Sequence, residues 1–263
     1  MNNPEVSIVI PTFNRSDLLQ NAIKSSLDQS VQCNIIVCDH GSTDNTQDIV
    51  KKFAKSITYI RREIDHGPHF CWLDGIINCP TEFVHLQYDD DWIHPKFIEK
   101  CLHLFDSEVG VVFSNAKVVN LSDNSSQIFN PFQNNIQTGK HNISILEKLC
   151  VKNNMIISPA ACLYRKKDLI DALYQGKLPI FSDVFYHGVG PDYFMMLLTI
   201  LRYKKFGYIN EELAFFGSHE DSITIDSFAQ NSRSEFLQAY LQVKSFYKLL
   251  KLGSRIKKFL GAK

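Results

Sequence analysis

Gln87-Tyr88-Asp89-Asp90-Asp91-Trp92 is the stretch on which the reading of this chain turns. Three consecutive carboxylates close an apolar run, Phe83-Val84-His85-Leu86, and a helix-like pattern follows around Pro95, over about 94–105. Adjacent anions repel one another and give up hydration at a cost, so a cation is their natural partner. Oxygen ligands of this kind suit a hard divalent ion such as Mg²⁺ or Mn²⁺. The competing reading is a solvated acidic turn at the positive end of the next helix. Where the triplet sits in the fold decides between them.

Upstream, Val6-Ser7-Ile8-Val9-Ile10 is short, β-branched and closed by Pro11, the pattern of a buried strand. The loop Thr12-Phe13-Asn14-Arg15 leads to a helix over about 16–29, with Leu18, Leu19, Ala22, Ile23, Ser26 and Leu27 on one face. Cys33–Cys38 predicts a second buried strand, ending in the polar run Asp39-His40-Gly41-Ser42-Thr43-Asp44. A helix over about 44–55 and a strand at Ile57-Thr58-Tyr59-Ile60 follow, then a helix over about 69–78 and a strand over 83–88. Alternating strands and helices build a parallel, doubly wound sheet. Ligands of such sheets bind beyond the carboxyl ends of the strands. Loops 11–15 and 39–44 and the acidic triplet all fall on that edge.

Beyond the triplet, Val109–Ser114 predicts a strand continuing toward Val119. Residues 122–142, rich in Asn, Ser and Gln, read as a surface insertion. A helix over about 143–152, a strand over about 160–165 and a helix over about 167–175 lead to the loop Gly188-Val189-Gly190-Pro191-Asp192. A mostly apolar helix covers 192–203. Two short strands, Phe206–Ile209 and Leu213–Phe216, precede a polar loop over 217–222, and helix fills about 227–260.

Composition sets the outer bounds. An apolar fraction of 44% suffices for a core, and 28 Lys and Arg balance 28 Asp and Glu over 263 residues, so the basic footprint of a nucleic-acid binder is absent. The seven cysteines, Cys33, Cys38, Cys71, Cys79, Cys101, Cys150 and Cys162, are odd in number and without CxxC spacing. That predicts reduced, buried thiols in a cytoplasmic protein. Met1-Asn2-Asn3-Pro4-Glu5 has no basic or long apolar leader pattern, and no apolar run reaches the roughly 20 residues that span a bilayer.

Ser7-Ile8-Val9-Ile10-Pro11-Thr12-Phe13-Asn14-Arg15 resembles the opening of family 2 glycosyltransferases, and Asp39-His40-Gly41-Ser42-Thr43-Asp44-Asn45-Thr46 resembles that family's second signature. Asp89-Asp90-Asp91 is similar to its metal-binding DxD motif, and Gly190-Pro191-Asp192 to the acidic motif carrying the catalytic base. Gly67-Pro68, Trp72 and Gly75-Ile76 resemble a variant common in capsule and O-antigen transferases. The resemblance covers roughly residues 5–225. It implies a GT-A fold: α/β, a Rossmann-like, mostly parallel central sheet flanked by helices, here with a C-terminal helical extension. Residues 1–225 would form the glycosyltransferase domain, with about 1–110 holding the nucleotide sugar and about 111–225 the acceptor. Residues 226–263 would form a basic amphipathic segment.

The implied reaction is inverting and metal-dependent. It moves a hexosyl-type sugar from a nucleoside diphosphate, UDP in first place, to a hydroxyl of a glycan or lipid-linked acceptor in surface polysaccharide synthesis. Carried over residue by residue, Asp91 is the first choice for the Mn²⁺ or Mg²⁺ ligand. Asp89 and Asp90 share the metal, ribose or sugar contacts, the order staying open because the motif aligns in two registers. Asp39 accepts from the base; Pro11, Thr12 and Phe13 line its pocket; Arg15 closes over the nucleotide. Arg61 or Arg62 reaches the phosphates or base, with Arg62 taken forward. Asp192 is the general base, and His219 completes the metal shell or touches the diphosphate. Each has a plainer alternative: Asp39 a turn residue, Asp192 a helix cap, His219 a salt bridge to Glu220 or Asp221.

Two positions depart from the pattern. His40 replaces the second acid of the signature, and Cys71 stands where related sequences carry Asn. A nucleotide-sugar-binding module without catalysis is the alternative function, whereas a dinucleotide oxidoreductase lacks its GxGxxG turn. The basic, apolar tail, with Lys244, Lys248, Lys251 and Arg255 among leucines, suits either packing on the domain or an anionic membrane surface, which would make the protein peripheral on the inner face of the cell membrane.

Overall fold

A computed structural model describes residues 4–174, 190–219 and 233–259. The amino-terminal half alternates as the periodicity predicts. Strand β1 (Val6–Thr12) leads to helix α1 (Ser16–Leu27), β2 (Cys33–Asp39), α2 (Thr46–Lys52), β3 (Thr58–Arg61), α3 (Pro68–Ile77) and β4 (Phe83–Leu86). Strands β3-β2-β1-β4 lie side by side and parallel. Val6–Ile10 of β1 and Ile35–Cys38 of β2 are buried on both faces, which is why these stretches read as apolar runs, interrupted only by the buried Ser7. Gly75 lets α3 settle on the sheet, since a Cβ there would stand 2.3 Å from Val9 Cγ1.

The sheet continues through strands of later sequence. After β5 (Asp91–Ile93) and α4 (Phe97–His103) come β6 (Val109–Asn120), β7 (Ser126–Phe129) and β8 (Gly139–Asn142). Then follow α5 (Ile143–Glu147), extended by a wider π turn over Lys148–Lys152, β9 (Cys162–Arg165), α6 (Lys166–Tyr174), α7 (Pro191–Arg202), β10 (Lys205–Ser218) and α8 (Arg233–Phe259). The full order is β3-β2-β1-β4-β9-β6-β10-β5. Strand β9 runs antiparallel between β4 and β6, and β5 antiparallel on β10. One sheet therefore joins the two expected halves of the chain.

Three elements differ from expectation. The stretch 122–142 lies largely on the surface as expected but carries two paired strands, β7 on β6 and β8 on β10, so backbone pairing holds it despite its polar side chains. The two strands expected over 206–216 are one strand, whose register shifts between Ile209, Glu212 and Ala214 absorb the polar residues Asn210 and Glu211. The helix after the triplet starts at Phe97, because Asp91–Ile93 pairs with β10 first. Gly188, Val189, Glu220–Ser222, the start of the C-terminal helical stretch and the boundary at 225/226 lie outside the described residues. All seven cysteines are free, and six are buried.

Helix α8 packs on α7. Ala239, Val243 and Tyr247 are buried, Phe246 lies 5.6 Å from the Phe194 ring, and Lys251 pairs with Glu147. The opposite face of α8 leaves Leu237, Leu241, Leu249, Leu252 and Ile256 exposed. No helix among the described residues is long and apolar enough to cross a membrane.

Candidate active site at the carboxyl edge of the sheet

The acidic triplet is a turn, but not a solvated one. Asp91 N–H donates to the Tyr88 carbonyl at 3.2 Å, leaving Asp89 and Asp90 at the turn's two central positions. Below it, Gln87 Nε2 donates to the carbonyls of Ala22 (2.9 Å) and Asp91 (3.3 Å). Asp89 and Asp91 are only 5% and 6% exposed, which overturns the helix-cap reading; α4 has no side-chain cap. Burial, then the charge of Asp90, pushes the Asp89 carboxyl up to about 6 despite Arg15 and Thr12. The same causes hold Asp91 well above the ordinary carboxylate range.

One loop meets this turn and is itself tied to a second. Thr12 Oγ1 donates to Asp89 Oδ2 at 2.8 Å, and Arg15 Nη1 lies 3.2 Å from both Asp89 Oδ1 and Asp90 Oδ2. Asn14, at φ 53°, ties its loop to the second: its N–H donates to Ser42 Oγ at 2.9 Å and its Oδ1 accepts from Thr43 N at 2.8 Å. Pro11 is half-buried, and Phe13 is 44% exposed at the rim.

Asp39 is buried at the end of β2. Its Oδ1 accepts from Ser42 N at 2.8 Å, its Oδ2 accepts from the Tyr59 hydroxyl, and Arg61 Nε stands 3.5 Å from Oδ2. Gly41 makes the turn possible, with φ at 80° and Glu63 O 2.8 Å from where a Cβ would sit. Arg62, the arginine taken forward from the sequence, pairs instead with Asp74 of α3. Strand β3 ends at Arg61, on the same face as Tyr59, and it is Arg61 that joins Asp39. His40 is buried and its Nδ1 meets Asp65 Oδ1 at 2.9 Å. Cys71 and Trp72 pack: Cys71 Sγ reaches the Cys38 carbonyl at 3.2 Å, and the Trp72 ring lies 5.6 Å from Tyr88.

The end of β10 closes the turn from the other side. Gly217 N–H donates to Asp91 Oδ1 at 3.1 Å, and a Cβ on Gly217 would stand 2.2 Å from the Asp90 carbonyl oxygen. His219 Nε2 lies 3.1 Å from Asp90 Oδ2. Asp90 thus faces both Arg15 and His219, whereas Asp91, the expected first metal ligand, has one oxygen engaged by the β10 backbone.

Asp192 stands in the first turn of α7. Its Oδ1 accepts from Gly190 N at 2.8 Å and Tyr193 N at 2.7 Å, and its Oδ2 from the Tyr240 hydroxyl at 3.0 Å. Burial pushes its carboxyl up to about 6 against these hydrogen bonds. Burial first, and then the charges of Asp192 and Asp91, hold the Tyr88 hydroxyl well above its ordinary range.

The residues suit a divalent ion. Three clustered carboxylates face the single guanidinium of Arg15 and a histidine, an excess of negative charge in a dry setting. Among the described residues no group of three or more metal-ligating side chains stands ready. The protein would therefore supply few ligands, leaving the remaining positions of a hard cation to water and phosphate oxygens. Sequence reasoning did not single out Tyr59, Gly217, Gln87 or Tyr240 as site residues. Of these, Gly217 carried the best signal, standing between an apolar strand and His219.

The profile of the glycosyl transferase family 2 matches residues 7–173. A curated Campylobacter jejuni relative, named GalNAc(5)-diNAcBac-PP-undecaprenol beta-1,3-glucosyltransferase, is 31% identical over 120 residues, 44% of this chain and 39% of that protein. Among solved structures, Staphylococcus aureus TarS 1-349 in complex with UDP-GlcNAc superposes with a TM-score of 0.64 at 18% identity, covering 83% of this chain and 60% of that one. The mannosyltransferase PcManGT of Pyrobaculum calidifontis, in complex with GDP-Man and Mn²⁺, gives a TM-score of 0.57 at 14% identity, over 95% and 70%. At these identities the likeness to the two structures is one of fold, and the match to the Campylobacter protein spans about two-fifths of its length.

Proposed function

The chain belongs to glycosyl transferase family 2, and from that premise we propose that it moves a sugar from a nucleoside diphosphate, UDP foremost, to a hydroxyl of a glycan or lipid-linked saccharide, with inversion at the anomeric carbon. The observation that carries the reading is that loop 12–15 holds the buried turn at Asp89-Asp90 through Thr12 and Arg15 and is itself tied through Asn14 to loop 39–44.

In this reading Asp39, held by Tyr59 and Ser42 and neighboured by Arg61, reads the base, with Pro11, Thr12 and Phe13 beside it. Asp89, fixed by Thr12 and Arg15, takes the ribose. Asp90 and His219 would hold Mn²⁺ or Mg²⁺, and their mutual approach at 3.1 Å favours them over Asp91. The ion's contribution would be to neutralise charge on the departing diphosphate without proton transfer. Pro191 opens α7, so that Asp192 projects at the helix start. Asp192 takes the proton of the acceptor hydroxyl as that hydroxyl's oxygen bonds the anomeric carbon, while the bond to the diphosphate breaks and its electron pair leaves with the phosphate oxygen. A carboxyl at about 6 is ionised at neutral pH yet more basic than a free one.

The exposed face of α8 supports a place at an anionic membrane surface. Residues 233–259 hold seven Lys and Arg against one acidic residue in a chain of zero net charge, and on the outer face Lys248 and Arg255 are exposed beside the leucines. A lipid-linked acceptor would be met there.

A melting panel of UDP, GDP and nucleotide sugars, each with and without Mn²⁺, tests the reading, because a ligand bound only by the folded state raises the melting temperature. UDP-type ligands with Mn²⁺ should raise it, and EDTA should reverse the gain and stop donor turnover. No response to any nucleoside diphosphate would remove the proposal.

A further inference from the structure

We propose that Tyr240, carried on the C-terminal helix α8, is a positioning residue for Asp192 that fixes its free oxygen and keeps it ready to accept a proton. The proposal rests on Asp192 being the base. Its geometry is specific. Asp192 Oδ1 is taken up by two backbone donors, Gly190 N at 2.8 Å and Tyr193 N at 2.7 Å. Only Oδ2 is left to meet an acceptor hydroxyl, and its one protein partner among the described residues is the Tyr240 hydroxyl at 3.0 Å. A carboxylate oxygen has room for a second donor beside the first, so the phenol holds Oδ2 in place without blocking it.

The phenol is built to stay where it is. The Tyr240 ring meets that of Tyr193 edge-on at 5.8 Å, and the turns around it are anchored by Ala239, Val243 and Tyr247 in the core. Burial first, and then the charge of Asp192, hold the Tyr240 hydroxyl far above its ordinary titration range, so it remains a donor at any working pH. Donation to the ionised carboxylate opposes the effect of burial on Asp192. The other titratable groups near Asp192 among the described residues act elsewhere or only through space. Tyr88 faces it from the triplet side, the Tyr193 hydroxyl donates to the Cys150 carbonyl at 2.8 Å, and Lys244 is turned to Asn154 Oδ1. The basic helix is thus part of the active site, and a chain without it would carry a base with one oxygen adrift.

Tyr240→Phe removes one oxygen and keeps the ring. In the full chain, ¹³Cγ-aspartate NMR, with Asp192→Asn to assign the signal, reads the Asp192 titration directly. The midpoint should rise by roughly one pH unit in Tyr240→Phe, the size expected for one lost hydrogen bond to a charged group. The acidic limb of UDP-N-acetylglucosamine hydrolysis with Mn²⁺ should move with it, kcat falling about threefold at pH 6.5 and KM holding within about twofold. Tyr247→Phe, on the same helix but facing Glu147, controls for loosened packing and should leave the midpoint in place. An unmoved midpoint in Tyr240→Phe, an equal shift in Tyr247→Phe, or a shifted midpoint with an unmoved rate limb would each overturn the proposal. Wild-type turnover in Asp192→Asn would instead remove the base reading on which it rests.

Discussion

Asp192→Asn should make the protein more stable at neutral pH while abolishing transfer. Burial raises the folded-state carboxyl to about 6 from an ordinary 3.8, so the folded chain binds this proton more tightly than the unfolded chain does. The stability linked to that proton is fully present below the unfolded value of 3.8, and is lost as pH rises through about 6. A shift of about two units at 1.36 kcal/mol each would set a ceiling near 3 kcal/mol. Asp192 keeps some contact with solvent, which reduces the figure to about 1–2 kcal/mol. Asparagine removes the charge and keeps the shape. Its Oδ1 can still accept from Gly190 and Tyr193, and its amide can donate to the Tyr240 oxygen. Thermal or urea unfolding at pH 7.5 should therefore place the variant about 1–2 kcal/mol above wild type, roughly 2–6 °C in melting temperature. The gap should close by pH 4. A variant less stable than wild type at pH 7.5, or a gap independent of pH, would refute the claim that Asp192 is held ionised against its surroundings.

Gly217→Ala should be costly out of proportion to its size. Its Cβ would press on the Asp90 carbonyl oxygen, a backbone atom that cannot swing aside, so a loss of about 1–3 kcal/mol and a weakened melting response to UDP with Mn²⁺ are expected; a response equal to wild type would show that the turn tolerates the shift. Asp90→Ala should abolish the Mn²⁺-dependent part of that response, whereas Asp91→Asn should keep it, since Asp91 is already driven toward its neutral form by burial. The reverse ranking would restore Asp91 as the metal ligand. On α8, Leu241→Glu with Leu249→Glu should cut co-sedimentation with phosphatidylglycerol vesicles while leaving melting within about 1 °C, because both side chains are 50% or more exposed. Undiminished sedimentation would dismiss the membrane surface.

The parts of the site that the sequence disclosed are those built from neighbours in the chain. Val6–Ile10 with Pro11, and Cys33–Cys38 with Asp39, each join a buried strand to its own polar loop, so period and punctuation place the loops on one edge. The triplet follows the same logic, and its burial is a consequence of standing at the end of β4. Choices between adjacent residues were beyond such reasoning. Arg61 against Arg62, and Asp90 against Asp91, depend on which face of a strand or turn each side chain takes. The hydrogen bond that engages Asp91 Oδ1 comes from Gly217, 126 positions away. Polar composition misled over 122–142 for a related reason: β7 and β8 are held by backbone hydrogen bonds to β6 and β10, and side-chain hydropathy does not register those.

Helix α8 shows the limit most clearly. Its sequence places apolar residues on more than one face, and hydropathy alone could assign either face to the protein core. Packing on α7 settles the matter for Ala239, Val243 and Tyr247, and this one choice has two consequences that local pattern could not supply. It brings the Tyr240 hydroxyl to Asp192, 48 residues earlier in the chain, and it leaves Leu237, Leu241, Leu249 and Leu252 facing outward with Lys248 and Arg255. If the outer face meets a lipid surface, the same helix presents that surface on one side and touches Asp192, the proposed base, on the other. An acceptor carried on a lipid would then be delivered beside the carboxylate that must deprotonate it. Positions on the inner face should consequently change the proton chemistry without changing vesicle binding, and positions on the outer face the reverse. A substitution on one face that altered both would mean that the helix moves on its bed.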